Sequence, residues 1–132
     1  MLNEIWNIRQ HPGEPRRRWF FDPEMDVTVW LDAEDAILGF QLTYGRPLAP
    51  HALTWWRSRG YYHHRVDDGE APDTLARKGT PILLPDGHSD RPALKALFDR
   101  RSAEIDPRVA AFIRERLADY ARMEQRPGTV GG

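Results

Sequence analysis

One segment governs the architecture of this chain: Val27-Thr28-Val29-Trp30-Leu31-Asp32-Ala33-Glu34-Asp35-Ala36-Ile37-Leu38-Gly39-Phe40-Gln41-Leu42-Thr43-Tyr44. Residues 27–31 and 38–44 each alternate between two faces, which is the period of a half-buried strand. The second alternation places Leu38 and Phe40 on one face and Ile37 on the opposite one. The acidic run between the two strands is typical of a hairpin loop, so the segment predicts two antiparallel neighbours.

Further strands are predicted on both sides of this hairpin. The aromatic run within residues 16–22 favours a strand that ends before Pro23. Residues 52–57 and 61–67 extend the sheet, with Ser58-Arg59-Gly60 as either a tight turn or a bulge between them. A short apolar strand over residues 82–84 precedes a turn. The sequence therefore predicts an antiparallel β-sheet of five or six strands arranged as a meander.

Two α-helices are predicted after the sheet. Asp90 can cap a short helix that begins at Arg91-Pro92. Asp106-Pro107 is a sharper start, because a capping residue precedes a proline at the first helical position. The longer helix presents one apolar stripe, formed by Val109, Phe112, Ile113, Leu117 and Tyr120. We expect a single α+β domain over residues 1–125, with both helices packed on one face of the sheet, and a disordered tail over residues 126–132.

Composition and charge exclude several classes of protein. The 132 residues include no cysteine, which excludes disulfides, thiolate nucleophiles and Cys-based metal sites. The net charge of -1 argues against binding to double-stranded nucleic acid, because that affinity comes from neutralising phosphates. The sequence has neither an apolar run of membrane-spanning length nor the features of a secretory signal at its start, so we expect a cytoplasmic protein without a membrane partner.

Arginine dominates the basic residues of the chain. Of nineteen basic side chains, only Lys78 and Lys95 are lysine. The planar guanidinium suits two-pronged recognition of a carboxylate or a phosphate. Codon usage in a GC-rich genome explains the same excess, so the composition leaves open whether the arginines are functional.

The candidate binding surface lies on the predicted strand over residues 61–67. If this strand is regular, Tyr61, His63, Arg65 and Asp67 share one face, and Tyr62, His64 and Val66 share the other. Together with Arg57, the first set is the candidate ligand-binding surface, for an anionic small molecule or a protein partner. This pattern favours a non-catalytic binding or protein-interaction module. The structural alternative is an ordinary solvent-facing strand with cross-strand charge pairs and His64 in the core.

A small enzyme is the competing hypothesis. In it, His63 or His64 acts as an acid/base group or a metal ligand, with Asp67 or His88 as its helper. Adjacent imidazoles on a strand diverge to opposite faces, which weakens the metal version. The chain has no phosphate loop, dinucleotide fingerprint or nucleophile elbow, so no cofactor is expected.

Two further interpretations concern surfaces. Trp55, Tyr61 and the neighbouring arginines suit stacking on single-stranded bases, and Arg16-Arg17-Arg18 suits either phosphate contacts or protection of a strand edge against aggregation. A sheet that is covered on one face only leaves its other face open to a partner, and symmetric pairing is the commonest arrangement among soluble oligomers. We therefore expect a homodimer.

The order of several short motifs resembles a family of uncharacterised bacterial proteins, a domain of unknown function. The motifs span nearly the whole chain: Pro12 to Phe20, Val29-Trp30-Leu31, Gly39-Phe40-Gln41-Leu42, Ala52-Leu53-Thr54-Trp55, His64 to Glu70, Thr80-Pro81-Ile82-Leu83 and Glu104-Ile105-Asp106-Pro107. The resemblance implies a bacterial origin. It implies no activity, ligand or functional residue, because none is known for that family.

Overall fold

Seven antiparallel strands follow one another in chain order across one sheet in the computed structural model, which describes residues 1–45, 50–66, 83–85 and 91–124. The strands are β1 (Asn3–Ile5), β2 (Arg16–Phe21), β3 (Met25–Leu31), β4 (Ile37–Tyr44), β5 (His51–Trp56), β6 (Gly60–Val66) and β7 (Leu83–Pro85). Two helices follow, α1 (Arg91–Arg101) and α2 (Pro107–Glu124). The predicted α+β class, the meander and the two helices after the sheet are confirmed. The short strand β1 was not predicted.

Turn chemistry sets the register of the central hairpins. The Asp32 carboxylate accepts hydrogen bonds from the backbone N–H groups of Glu34 and Ala36, both at 2.9 Å. Asp35 takes the left-handed backbone conformation that closes this loop, with φ of 66°. Between β5 and β6, residues 57–59 form a three-residue loop before Gly60, whose φ of 88° suits glycine. The predicted turn at Ser58-Arg59-Gly60 is therefore present.

The core lies between the helices and one face of the sheet. Paired residues of an antiparallel sheet point to the same side, so the pairing of Val29 with Phe40, and of Phe40 with Trp55, defines a helix-facing side. Leu94 and Phe98 from α1 join this side in one buried cluster, together with Ile113 and Leu117 from α2. The prediction that both helices pack on one face is confirmed.

A bulge in the central hairpin corrects one expectation. The register shifts after the pair formed by Trp30 and Gly39, so that Leu31 pairs with Ile37. Ile37 is therefore buried in the core on the same side as Phe40, and Leu38 is only half-buried. The predicted alternation fails at this end of β4 because a bulge adds one residue to one strand and moves the side chains before it to the other face.

The start of α2 follows the prediction closely. Asp106 caps the helix, since its Oδ1 accepts a hydrogen bond from the backbone N–H of Arg108 at 2.9 Å. Its apolar stripe is buried except for Phe112, which is partly exposed. The predicted cap at Asp90 and the predicted disordered tail over residues 126–132 lie outside the described residues. Within the described part of the chain, no helix is long and apolar enough to cross a membrane.

Candidate functional site

Strand β6 places its side chains on alternating faces, as predicted. Tyr61 pairs with Trp55 and His63 pairs with Leu53, so both side chains lie on the helix-facing side, and Arg65 follows them. Tyr61 and His63 are half-buried there, whereas Arg65 is exposed. Three of the five candidate ligand-binding residues thus share a face, but this face is the one that the helices cover. Asp67, the fourth residue of that predicted strand face, lies outside the described residues.

Tyr61 serves the contact between the sheet and α2. Its ring stacks on the ring of Tyr120, with centroids 5.2 Å apart. Its hydroxyl donates a hydrogen bond to the backbone carbonyl oxygen of Arg116 at 2.8 Å. Burial raises the pKa of Tyr61 to about 12, so the phenol stays protonated at neutral pH. These contacts give Tyr61 a structural role.

His63 belongs to a small aromatic cluster on the same side of the sheet. Its Nε2 is hydrogen-bonded to the hydroxyl of Tyr44. The ring of His51 lies nearly parallel to that of His63, with centroids 5.5 Å apart and an interplanar angle of 18°. A hydrogen-bonded phenol and imidazole can exchange a proton, so this pair is the described feature on which the enzyme hypothesis rests.

His64 lies on the opposite face of β6, beside Tyr62. The two rings are nearly parallel, with centroids 6.3 Å apart. The Nδ1 atom of His64 is buried and has no hydrogen-bond partner within the described part of the chain. His63 and His64 therefore diverge, as expected for neighbours on a strand.

The metal version of the enzyme hypothesis gains no support from the described residues. Asp67 and His88, the helpers considered for His63 and His64, lie outside them. Among residues 1–45, 50–66, 83–85 and 91–124, no three histidine or acidic side chains are grouped so that they could hold a metal ion.

Arg57 lies apart from the rest of the candidate set, in a cleft between the sheet and the start of α2. The cleft has a volume of about 630 Å³. We call it the arginine cleft, because its charged lining is dominated by guanidinium groups. It is lined by Arg16, Arg18, Arg57, Arg108, Trp6 and Phe112, among others. Tyr61, His63 and Arg65 are not among the described residues that line it.

One side of the arginine cleft is a closed network of charges. Arg18 binds both carboxylate oxygens of Glu4, at 2.9 Å and 2.7 Å, and reaches Asp106 at 3.1 Å. These hydrogen bonds, that of Glu4 first, raise the pKa of the guanidinium above its ordinary value. The N–H of Arg108 and the charge of Arg18 outweigh burial and lower the pKa of Asp106. This network joins β1, β2 and α2, so its role is structural.

The other guanidinium groups of the cleft differ in how they are neutralised. Arg16 forms an ion pair with Asp35. Arg57 donates a hydrogen bond to the backbone carbonyl oxygen of Ile37, which orients its side chain without neutralising its charge. Neither Arg57 nor Arg108 forms an ion pair with a carboxylate of another described residue. The cleft therefore presents two positive charges that an anion can approach.

Aromatic side chains form the apolar part of the cleft. Trp6 follows β1 and its side chain is 74% exposed. Phe112 contributes the edge of α2, and its ring packs against Trp55 and the guanidinium of Arg116. An exposed indole in the same cleft as two guanidinium groups that form no ion pair with a described carboxylate is suited to bind a molecule that is partly apolar and partly anionic.

Most of the cleft was not predicted as a site. Arg57 was among the predicted ligand-binding residues, whereas Arg16 and Arg18 were predicted only to contact phosphate or to protect a strand edge. The available signal was the strand period of residues 16–18, which sends Arg16 and Arg18 to one face and Arg17 to the other. Nothing in the local sequence connects Trp6 or Arg108 with these side chains, because they meet only when α2 docks on the sheet.

The face of the sheet opposite the two helices, which we call the open face because no described helix covers it, is rich in aromatic side chains. Trp30 and Trp56 flank Gly39 and pack against each other, with ring centroids 4.8 Å apart. Phe21 and Tyr62 on the same face are 36% and 40% exposed. This face also carries opposite charges at opposite ends of the β2–β3 pair, Arg17 and Asp26.

Comparisons of the chain with protein-family models, with curated proteins and with solved structures found no match.

Proposed function

We propose that the protein is a non-catalytic binding module that binds a small organic anion in the arginine cleft. The observation that carries the proposal is the presence of two guanidinium groups, on Arg57 and Arg108, that line one cleft without forming an ion pair with a described carboxylate. A solvent-facing arginine usually needs no partner, but two at the wall of a concave site concentrate positive charge where a ligand is enclosed.

The dimensions and rigidity of the cleft support this function. Its volume of about 630 Å³ lies within the range of small-molecule sites. Arg57 begins the β5–β6 loop, where its backbone N–H donates to the Leu38 carbonyl at 2.8 Å and its side chain donates to the Ile37 carbonyl. Arg108 lies in the first turn of α2, and its backbone N–H donates to the capping residue Asp106. Both side chains therefore extend from fixed backbone positions, which lowers the entropy lost when a ligand binds.

Calorimetric titration of the protein with a panel of small anions tests the proposal. We expect at least one organic anion to bind, and we expect both Arg57→Gln and Arg108→Gln to weaken that binding. Arg59→Gln is the matched control, because Arg59 is exposed in the β5–β6 loop and does not line the cleft. Binding that survives both cleft variants, or that Arg59→Gln weakens equally, contradicts the proposal.

Self-association through the open face is a second candidate function. We propose a second copy of this chain as its occupant, because Arg17 and Asp26 lie at opposite ends of the β2–β3 pair on this face, and a twofold axis between them would bring each next to its opposite charge on the other copy. Light scattering over a range of concentrations tests it. A dimer that Tyr62→Asp dissociates and Arg59→Gln leaves intact is expected; a wild-type monomer throughout contradicts it.

A small enzyme with His63 as the acid/base group remains an alternative proposal, but the partner of His63 differs from the one predicted. Tyr44 is the described hydrogen-bonding partner of His63, in place of Asp67 or His88. We also propose a bacterial cytoplasmic protein of the family that the sequence resembles; the arginine-rich, cysteine-free composition supports this origin.

A further inference from the structure

We infer that the anion bound by the arginine cleft is an aromatic monocarboxylate. This inference rests on the proposed function and deepens it by naming the ligand class. It follows from two properties of the cleft, its balance of charges and the apolar surface that lines it together with Arg57 and Arg108.

The balance of charges favours a ligand with about one negative charge. Among the described residues that line the cleft, four are arginines and three are carboxylates: Arg16, Arg18, Arg57 and Arg108 against Asp35, Asp106 and Glu115. Arg16 pairs with Asp35 and Arg18 with Asp106, which leaves Glu115 as the one described lining carboxylate to offset Arg57 and Arg108. The described lining therefore has an excess of one positive charge.

This excess discriminates between classes of anion. A monocarboxylate neutralises it and can accept a bidentate pair of hydrogen bonds from a guanidinium group of the cleft. A polyphosphate would bring several charges close to Asp35, Asp106 and Glu115, and repulsion between like charges disfavours that arrangement.

The apolar surface indicates a flat, aromatic body. Trp6 leaves most of its indole exposed, and Phe112, Val109 and Ile37 line the same cleft. An aromatic ring that stacks on the indole would remove apolar surface of both groups from water. Inorganic phosphate would leave this surface exposed and most of the 630 Å³ unfilled.

Calorimetric titration with 2-naphthoate tests the inference. Naphthalene-2-methanol is the matched neutral probe, because it keeps the ring and replaces the carboxylate with a hydroxymethyl group. Inorganic phosphate and ATP are the competing anions. We expect 2-naphthoate to bind at least about tenfold more tightly than each of these three compounds. Naphthalene-2-methanol lacks the carboxylate and so loses the charge-assisted, bidentate hydrogen bond. Phosphate has no ring to stack on the indole, and ATP carries more negative charge than the cleft can balance.

Variants test whether the carboxylate of the ligand binds the arginines and whether its ring binds Trp6. Arg57→Gln and Arg108→Gln should each weaken 2-naphthoate binding by about tenfold or more, and Trp6→Ser should weaken it by a similar factor. Arg59→Gln should leave it unchanged. Circular dichroism of each variant checks that the fold is retained, and Arg57→Lys, which keeps the charge, should restore part of the affinity lost in Arg57→Gln.

The outcomes separate this inference from the proposed function. Tighter binding of phosphate or ATP than of 2-naphthoate, weakened by the arginine variants, overturns the aromatic carboxylate and leaves anion binding in place. Equal binding of naphthalene-2-methanol and 2-naphthoate overturns the inference, because the arginines then contribute nothing to naphthyl recognition. If neither 2-naphthoate nor any anion of the panel binds, both are overturned.

Discussion

The side-chain amide of Gln10 pairs with both backbone groups of Arg17. Its Nε2 donates to the Arg17 carbonyl oxygen at 2.8 Å, and its Oε1 accepts from the Arg17 N–H at 2.9 Å. The pair lies where β1 no longer accompanies β2, since β1 pairs only with Trp19, Phe20 and Phe21. A side chain thus completes the hydrogen bonds of a strand edge that would otherwise be open to another chain.

Gln10→Ala should therefore lower the free energy of unfolding by about 1 kcal/mol, because two hydrogen bonds to the edge are lost and water replaces them. Urea unfolding followed by circular dichroism measures the change. Gln10→Glu is the matched variant, because it keeps the acceptor for the Arg17 N–H but loses the donor to the Arg17 carbonyl. Gln10→Glu should therefore also lower the free energy of unfolding by a measurable amount. An unchanged midpoint for Gln10→Ala would show that the paired amide contributes nothing to stability.

Gly39→Ala should destabilise the protein by roughly 2 kcal/mol or more, because the added methyl group has no space. A Cβ at this position would collide with the indole of Trp56 and come within 2.7 Å of the Trp55 carbonyl oxygen. Thermal unfolding measures the effect. In a Trp56→Leu background the same substitution should lower stability by a smaller amount. Some loss should remain, because the Trp55 carbonyl oxygen is still close to the added methyl group. Equal costs in both backgrounds would contradict the clash with the indole.

Tyr61 should ionise only at strongly alkaline pH. Its pKa is raised to about 12, first by burial and then by the charge of Asp119. Because the neutral phenol is favoured in the folded state, its contribution to stability is complete below the ordinary pKa of 10.0 and is lost as the pH rises towards 12. In a pH titration of the wild type, tyrosinate absorbance should rise in a late step near pH 12 that comes from Tyr61. This step should be absent in Tyr61→Phe. A late step that persists in Tyr61→Phe would assign it to another tyrosine.

Asp22→Asn should destabilise the protein by about 2 kcal/mol at neutral pH, because a neutral amide loses the charge-assisted hydrogen bonds that the buried carboxylate makes with its partly exposed cationic partners. The Asp22 side chain is fully buried, 2.7 Å from the Met1 amino group and 3.6 Å from Arg101. Burial alone would raise its pKa, but the hydrogen bonds from Met1 and Glu24 and the nearby positive charges lower it. Chemical unfolding at neutral pH measures the loss, and Asp35→Asn, which removes an exposed carboxylate, is the control.

The pH dependence of the same pair of proteins gives a second test. A carboxylate with a lowered pKa stabilises the fold above its ordinary value of 3.8, and this contribution disappears as the pH falls below it. The difference in unfolding free energy between wild type and Asp22→Asn should therefore shrink in acid. A difference that stays constant down to strongly acidic pH would mean that Asp22 does not act through its charge.

Much of the fold was readable because its signals are local. The alternation along residues 39–44 and the capped start at Asp106-Pro107 each depend on a few neighbouring residues, and both recur in the structure. Ile37 was misplaced because a bulge depends on how two strands pair, which periodicity does not show. Strand β1 was missed because three residues are too few to display a period.

The candidate site was less accessible to sequence reasoning than the fold. Tyr61, His63 and Arg65 do share a face, as their spacing requires, but only packing decides that helices cover it. Arg16, Arg57 and Arg108 are far apart in the chain, and they line one cleft because strand register and the docking of α2 bring them together. Residue order therefore determines periodicity and capping within each element, whereas which charges meet, and which remain unpaired, is a long-range property that exists only once the elements have packed.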